Sequence, residues 1–242
     1  MEIRYFNTLE STNNYCKLLN LDEVEEFLVV CAGKQTAGIG QQGNVWVSEP
    51  YKNLTFSIIL KPTFISAADQ YQLTMTFAVA VAEAVTELLP NEKTYIKWPN
   101  DIYVGDRKIC GILASNQIKQ DFVALTICGI GLNVNQTLFP DWVPNPVSLK
   151  MADGQERDTD SVLHLVLDKL QKRYKELHSG INNIEEQYLS LLYRRGIEAP
   201  YQYKGHNILG TILSINQFGH LILQCSDGKT ICCSMKEIKF LI

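Results

Sequence analysis

The 242-residue sequence is long enough for one large domain, or for a large domain with a small one beside it. Hydrophobic residues make up 46% and charged residues 20%, the balance of an ordinary globular protein. The net charge of −4 argues against a dedicated nucleic-acid binder, which needs clustered Lys and Arg to neutralise phosphates.

In chain order, the start MEIRYFNTLEST has no apolar h-region, so no signal peptide is expected. No apolar run approaches the roughly 20 residues that cross a bilayer. A cytoplasmic protein without membrane association is the expectation. Ser11-Thr12-Asn13 offers N-cap side chains ahead of a helix-like NYCKLLN segment. Phe27–Cys31 is a short β-rich run, followed by a glycine-rich loop from Gly33 to Gly43. Asn53–Lys61 has the composition of a buried strand. Leu73, Phe77, Ala80, Ala84 and Leu88 recur at three- and four-residue spacing, which predicts a helix over Asp69–Leu89, ended by Pro90-Asn91.

Thr94–Val134 has the texture of strands joined by tight turns. Gly105-Asp106 sits between IYV and RKICGIL as a two-residue hairpin turn. A second amphipathic helix is predicted over Ser161–Leu177, with Val162, Val166, Leu170, Tyr174 and Leu177 on one face and Gly180 as its stop. A third is predicted over Ile184–Tyr193. Beyond Gly196 the runs NILGTILSI, HLILQC and TICCSM suggest a compact β-barrel-like appendage. The expected organisation is therefore an α+β main domain over 1–190 and a small β domain over 191–242. The seven cysteines are odd in number and show no C-x-x-C spacing, so they read as reduced, packed thiols.

Three stretches carry candidate chemistry. Gly38-Ile39-Gly40-Gln41-Gln42-Gly43 matches the dinucleotide pattern G-x-G-x-x-G, but it opens no helix and has no acid about 20 residues on. What survives is a loop whose glycines let the backbone come close to a ligand, with amides to hold an anion; a plain surface turn is the competing reading. In Lys97-Trp98-Pro99-Asn100-Asp101 the proline stiffens the chain just before an amide and a carboxylate. The carboxylate could hold Mg²⁺ near a nucleotide or accept a proton; a turn without function is the alternative. Lys108 begins an apolar strand, either snorkelling to solvent or serving as a fixed cation, with Gly111 leaving room for a ligand. The four histidines have no metal spacing, and Cys110 reads as a core thiol rather than a nucleophile.

In order along the chain, Glu10–Asn13 (ESTN), Lys34–Gly38 (KQTAG), Gly43–Trp46 (GNVW), KWPNDIY, DRKICGIL and GIGLNVN together resemble the biotin–protein ligases. The resemblance spans nearly the whole main domain and is most specific in KWPND with the R-K-x-x-G-I-L strand that follows. It implies a mixed β-sheet flanked by helices, with a small C-terminal SH3-like β-barrel domain. It also implies a short form without the DNA-binding helix-turn-helix, so that no DNA partner is expected.

By resemblance, biotin's carboxylate attacks the α-phosphorus of MgATP to give biotinyl-5′-AMP. A lysine of a biotin carboxyl carrier protein or domain, part of a biotin-dependent carboxylase such as acetyl-CoA carboxylase, then takes the biotin. Ser11, Thr12, Asn13 and Gln35 would hold the biotin head group. Gly38, Ile39, Gly40, Gln41, Trp46 and Gly111 would close around it. Lys108 would bind the carboxylate and phosphate oxygens. Asn100, Asp101, Gly131 and Asn133 would serve the nucleotide, with Asp101 near Mg²⁺ and accepting the acceptor lysine's proton. Lys108 and Asp101 are thus the expected catalytic pair. Pairing of two copies through sheet edges is compatible with the resemblance.

The sequence departs from the family in two places. The family loop usually reads G-R-G-R-x-G, and here Ile39 and Gln41 stand in place of its arginines. Lys34, Arg107 or Lys97 could compensate; otherwise the protein is a slow ligase or a non-catalytic biotin binder. The chain also ends KEIKFLI, with Leu241 where some members carry a basic residue, so no contact from this tail to ATP is expected. A lipoate–protein ligase would share the fold and the lysine.

Overall fold

A computed structural model describes residues 1–20, 23–181 and 183–242, the side chain of Gln42 excepted. The first half of the chain runs β1 (Ile3–Leu9), α1 (Thr12–Leu18), β2 (Leu28–Gln35), β3 (Leu54–Leu60), α2 (Tyr71–Leu88), β4 (Thr94–Lys97), β5 (Asp101–Val104), β6 (Arg107–Lys119) and β7 (Phe122–Leu132). These strands form one mixed sheet in the order β1-β2-β3-β7-β6-β5-β4. Only β1 and β2 pair in parallel, as a helix-linked crossover permits, and every other neighbour is antiparallel. The helices α3 (Leu149–Asp153), α4 (Thr159–His178) and α5 (Ile184–Ser190) follow.

Strand β3 shows how the layers divide. All seven of its residues are buried, because both faces of the sheet are covered. Leu54, Phe56, Ile58 and Leu60 enter the main core with α2 and α4. By the two-residue alternation of a strand, Ser57 and Ile59 face the other way, toward α1. There Ile59 joins Cys16, Leu28, Val30, Leu125 and Ile127 in a smaller cluster. Beyond that cluster the α1 side of the sheet carries glycines instead of large side chains, and a cleft lies over them. The expected apolar face of α4, Val162 through Leu177, is buried as the spacing predicts.

The second sheet contains β8 (Glu198–Tyr203), β9 (His206–Ile215), β10 (Leu221–Cys225), β11 (Thr230–Cys233) and β12 (Ile238–Phe240), in the antiparallel order β11-β10-β9-β8-β12. Its buried Tyr201, Ile212, Leu221 and Leu223 continue the main core. This is the small SH3-like appendage seen in the β texture of the tail. It holds the Trp98-Pro99 turn through Gly219, whose O accepts from Trp98 Nε1 at 2.9 Å, while from α5 Tyr188 Oη donates to Pro99 O at 2.7 Å. Gly219 has φ +79°, and any Cβ there would run into the Tyr71 ring.

Several elements differ from expectation. Strand β1 and helix α3 were not anticipated. The first three residues of the glycine-rich segment, Gly33, Lys34 and Gln35, belong to strand β2, where Lys34 and Gln35 pair with Thr8 and Leu9 of β1. Helix α5 ends at Ser190 instead of Tyr193. Ile96 N donates to Leu191 O and Tyr193 N donates to Ile96 O, so sheet pairing takes the backbone groups that a longer helix would use. The Gly105-Asp106 turn forms as expected, with Val104 opposite Arg107. All seven cysteines are free, and burial pushes the Cys16 and Cys31 thiols up to about 12. No helix among the described residues is long and apolar enough to cross a membrane.

Candidate functional site

The cleft's floor is set by strand register. Gly111 on β6 lies opposite Gly131 on β7, and Gly129 lies opposite both Leu113 and Ser57. These glycines face α1, and each is needed for close packing. A Cβ on Gly131 would fall 2.3 Å from the Trp46 ring and one on Gly111 3.1 Å from it, while one on Gly129 would meet the Asn13 amide at 2.4 Å. Trp46 therefore rests on bare backbone. Its buried Nε1 has no hydrogen-bond partner.

A polar cluster closes one end. Ser11 caps α1, its Oγ accepting from Asn14 N. Gln35, at the end of β2, accepts from Thr12 N at 2.8 Å and from Thr12 Oγ1 at 3.3 Å. Ser57 Oγ stands 2.7 Å from Thr12 Oγ1 and 3.0 Å from Asn13 Oδ1, with a single proton to give the two. Asn13 Nδ2 donates to Leu113 O. Ser11, Thr12, Asn13 and Ser57 are all buried, so a ligand here meets a preset array of donors and acceptors. Ser57 was not singled out from the sequence; the one available signal was a hydroxyl inside the apolar run NLTFSIILK.

At the other end stands Lys108. Strict alternation along β6 would put Lys108 and Gly111 on opposite faces. A β-bulge prevents this: Ile102 pairs with Cys110 but Tyr103 pairs with Lys108, leaving Ile109 as the extra residue. The register shift turns Lys108 onto the face of Gly111, where Nζ sits 2.7 Å from Asp101 Oδ1 and 5.9 Å from the Trp46 ring centre. Both members of this ion pair are partly exposed, at 29% and 22%. The neighbouring Cys110 is fully buried and its thiol is pushed far up by that burial, which fits a core role.

Ser11, Thr12, Asn13, Gln35, Ile39, Gly40, Gln41, Trp46, Asp101, Lys108, Gly111 and Gly131 all line this cleft of about 150 Å³. The remaining sequence-selected residues lie elsewhere. Gly38 is buried behind it, its carbonyl accepting from Trp46 N at 3.0 Å, so it holds Trp46 in place without reaching the cavity. The Gly40 amide is not free for an anion, since it donates to Asn44 O at 2.7 Å.

Asn100 uses its amide nitrogen on Ile112 O, fastening the Pro99 turn to β6, and lines a second cavity instead. Asn133 lines a third, with Trp46, Lys108 and the exposed Trp142; its Nδ2 donates to Val147 O, and its buried Oδ1 has no partner. Of the three cations weighed as substitutes for the loop arginines, Lys34 and Arg107 are exposed and line none of these three cavities. Lys97 lines the second. That cavity is also walled by Ile238, Lys239 and Phe240 of β12, so the tail does reach the region beside Asp101.

Residues 5–133 match the biotin/lipoate A/B protein ligase family. The bifunctional ligase/repressor BirA of Bacillus subtilis is 34% identical over 228 residues, covering 93% of this chain and 70% of that protein. The biotin–[acetyl-CoA-carboxylase] ligase of Mycobacterium tuberculosis is 28% identical, covering 87% and 78%. Among solved structures, the biotin protein ligase from Aquifex aeolicus in complex with biotin and ATP superposes with a TM-score of 0.82 at 24% identity, covering 99% of this chain and 98% of that one. By sequence match and by architecture, this chain belongs to the biotin/lipoate A/B protein ligase family.

Proposed function

We propose that the chain is an ATP-dependent biotin–protein ligase that forms biotinyl-5′-AMP in this cleft and passes biotin to a lysine of a carrier domain. The carrying observation is the bulge-placed Lys108–Asp101 pair, which stands between the polar-ended cleft and the second cavity. A carboxylic acid whose polar head meets Thr12 and Gln35 presents its carboxylate toward Lys108. The ammonium then stabilises the charge that develops as a carboxylate oxygen attacks the α-phosphorus and pyrophosphate departs. Mg²⁺ bound to the nucleotide would supply neutralisation of its phosphate charge. The described residues hold no cluster of three or more metal-ligating side chains, and Asp101 offers the single carboxylate with which phosphate-bound Mg²⁺ is often shared. In the second step Asp101 accepts the proton of the attacking lysine amine and AMP leaves.

The polar cluster favours biotin over lipoate. A ureido ring can exchange hydrogen bonds with the Ser11, Thr12, Asn13 and Gln35 array. An apolar dithiolane would offer that array nothing to bond, so each hydrogen bond the ureido ring makes, worth about 0.5–1.5 kcal/mol net, would be absent. Asn133 Oδ1, a buried acceptor without a partner beside Trp46 and Trp142, suits an amino group of a nucleotide base. Pyrophosphate release that requires both biotin and ATP is the test. Release that proceeds with lipoate and not biotin would overturn the substrate assignment, and biotin binding without any release would leave a non-catalytic binder.

Ile39 and Gln41 face the same cleft as Lys108 with neutral side chains. The double variant Ile39→Arg, Gln41→Arg is therefore expected to slow biotinyl-5′-AMP dissociation by about 10-fold or more, since each charge-assisted bond contributes about 1.5–3 kcal/mol. Stopped-flow displacement of the adenylate gives the off-rate; an unchanged value means the loop does not contact the phosphate.

A further inference from the structure

Ser57 is fully buried behind the polar end of the cleft and lines no part of it. Strand alternation on β3 turns it toward α1, and in register it stands opposite Val30 on β2 and Gly129 on β7. The bare backbone of Gly129 is what lets the Asn13 amide come down beside it. The protons of this corner can be placed from the partners each atom has. Asn13 Nδ2 donates to Leu113 O, so the oxygen of that amide is the end that faces Ser57, at 3.0 Å. Thr12 N donates to Gln35 Oε1, so Gln35 keeps its amide nitrogen, which forms no hydrogen bond among the described residues, for a ligand. Ser57 gives its one proton to Asn13 Oδ1, at which no other donor is aimed among the described residues. Toward Thr12 it can then only accept. The Thr12 hydroxyl proton takes this contact, at 2.7 Å, over Gln35 Oε1 at 3.3 Å, which Thr12 N already occupies. The reverse order, with Ser57 donating to Thr12, would leave the buried Asn13 Oδ1 without a proton. Thr12 Oγ1 therefore faces the cleft with lone pairs alone.

We propose that Ser57 determines which head group the cleft accepts, by taking the Thr12 proton and so holding Thr12 Oγ1 as a pure acceptor. Ser11 Oγ accepts from Asn14 N and keeps its proton to give, and the Gln35 amide nitrogen has two. The corner thus sets donors and an acceptor side by side. The head that fits it presents a carbonyl next to an N–H in one rigid ring, as a cyclic urea does. The assignment rests on the biotin–protein ligase reading for its substrate and on the hydrogen-bond order for its selectivity. Ser57 touches no ligand and is a positioning residue that acts through Thr12. A ring with oxygen in place of that N–H, a cyclic carbamate, sets its lone pairs against those of Thr12. Without the Ser57 hydroxyl, the Thr12 proton is free to swing into the cleft and bond that oxygen. The serine therefore excludes ring-oxygen analogues as well as favouring the ring nitrogen.

The test is calorimetry on the full chain with biotin and its two cyclic carbamate analogues, each with one ureido N–H replaced by oxygen. The parent is expected to bind the analogue altered at the Thr12 position about 10-fold more weakly than biotin, the effect of one hydrogen bond. Ser57→Ala is expected to shrink that gap at least threefold. Ser57→Cys, which keeps the volume but accepts hydrogen bonds weakly, should show a gap between the two, and it carries the comparison if the alanine variant unfolds. In a Thr12→Val background, Ser57→Ala should leave the gap unchanged within about twofold, because the two residues act as one unit. A smaller change in Ser57→Ala, or none in Ser57→Cys, overturns the proposal, since a serine that only packs would weaken biotin and the analogue alike. An effect that persists in the Thr12→Val background overturns it too, as does a parent that binds both analogues as well as biotin. Biotin binding without pyrophosphate release ends the ligase reading while the gaps still decide the role of Ser57; no biotin binding ends both.

Discussion

Lys108→Ala is expected to lower biotin-dependent pyrophosphate release by about 10²- to 10³-fold, the usual effect of deleting one preorganised group that stabilises transition-state charge. The loss should lie mainly in kcat, because Lys108 is placed to meet charge that develops during attack. The fold should survive. Lys108 is partly exposed, and its structural bonds are made by its backbone: N donates to Asn145 O at 2.7 Å and O accepts from Val147 N at 2.9 Å. Asp101 loses its ion-pair partner but keeps access to water at 22% exposure, so little stability is at stake. Circular dichroism and the melting temperature check the fold, and steady-state pyrophosphate release checks the rate. Turnover within a few-fold of the parent would remove Lys108 from its role.

Asp101→Asn separates the two half-reactions. The amide keeps the shape and an oxygen to face Lys108 but cannot take a proton. Transfer from preformed biotinyl-5′-AMP to a carrier domain is expected to fall by about 10²- to 10⁴-fold, the range of a positioned general base. Adenylate formation should fall less. The transfer deficit should also narrow as pH rises toward the lysine pKa of about 10.4, because more of the acceptor amine is then already deprotonated. Equal losses in both steps, unaffected by pH, would mean that Asp101 acts only by holding Lys108.

Much of this arrangement was legible in the sequence, and the parts that were not have identifiable causes. The periodicity of α2 and α4 and the Gly105-Asp106 turn were readable because local spacing determines them. The edge strand β1 escaped because IRYFNTL alternates only weakly and leaves Tyr5, Asn7 and Thr8 exposed. The end of α5 depends on Ile96, far away in sequence, which draws Leu191 and Tyr193 into sheet pairing.

At the site, the residue types at Ser11, Gln35, Asp101 and Lys108 were visible, but their convergence was not. That convergence depends on the extra residue Ile109, a register feature that flips Lys108 across the sheet and leaves no mark in composition. Asn100 and Gly38 show the reverse case. Both lie in motifs that suggest ligand contact, yet one fastens a turn to Ile112 and the other seats Trp46. The role of β12 was masked because the tail lacks a terminal basic residue, whereas its contribution is a wall beside Lys97.

The most direct measurement is transfer of biotin to a purified biotin carboxyl carrier domain, followed by intact mass. The parent chain is expected to add biotin to the carrier only when biotin and MgATP are both present, and Lys108→Ala to add almost none in the same time. A parent protein that binds biotin yet leaves the carrier unmodified and releases no pyrophosphate would contradict the account.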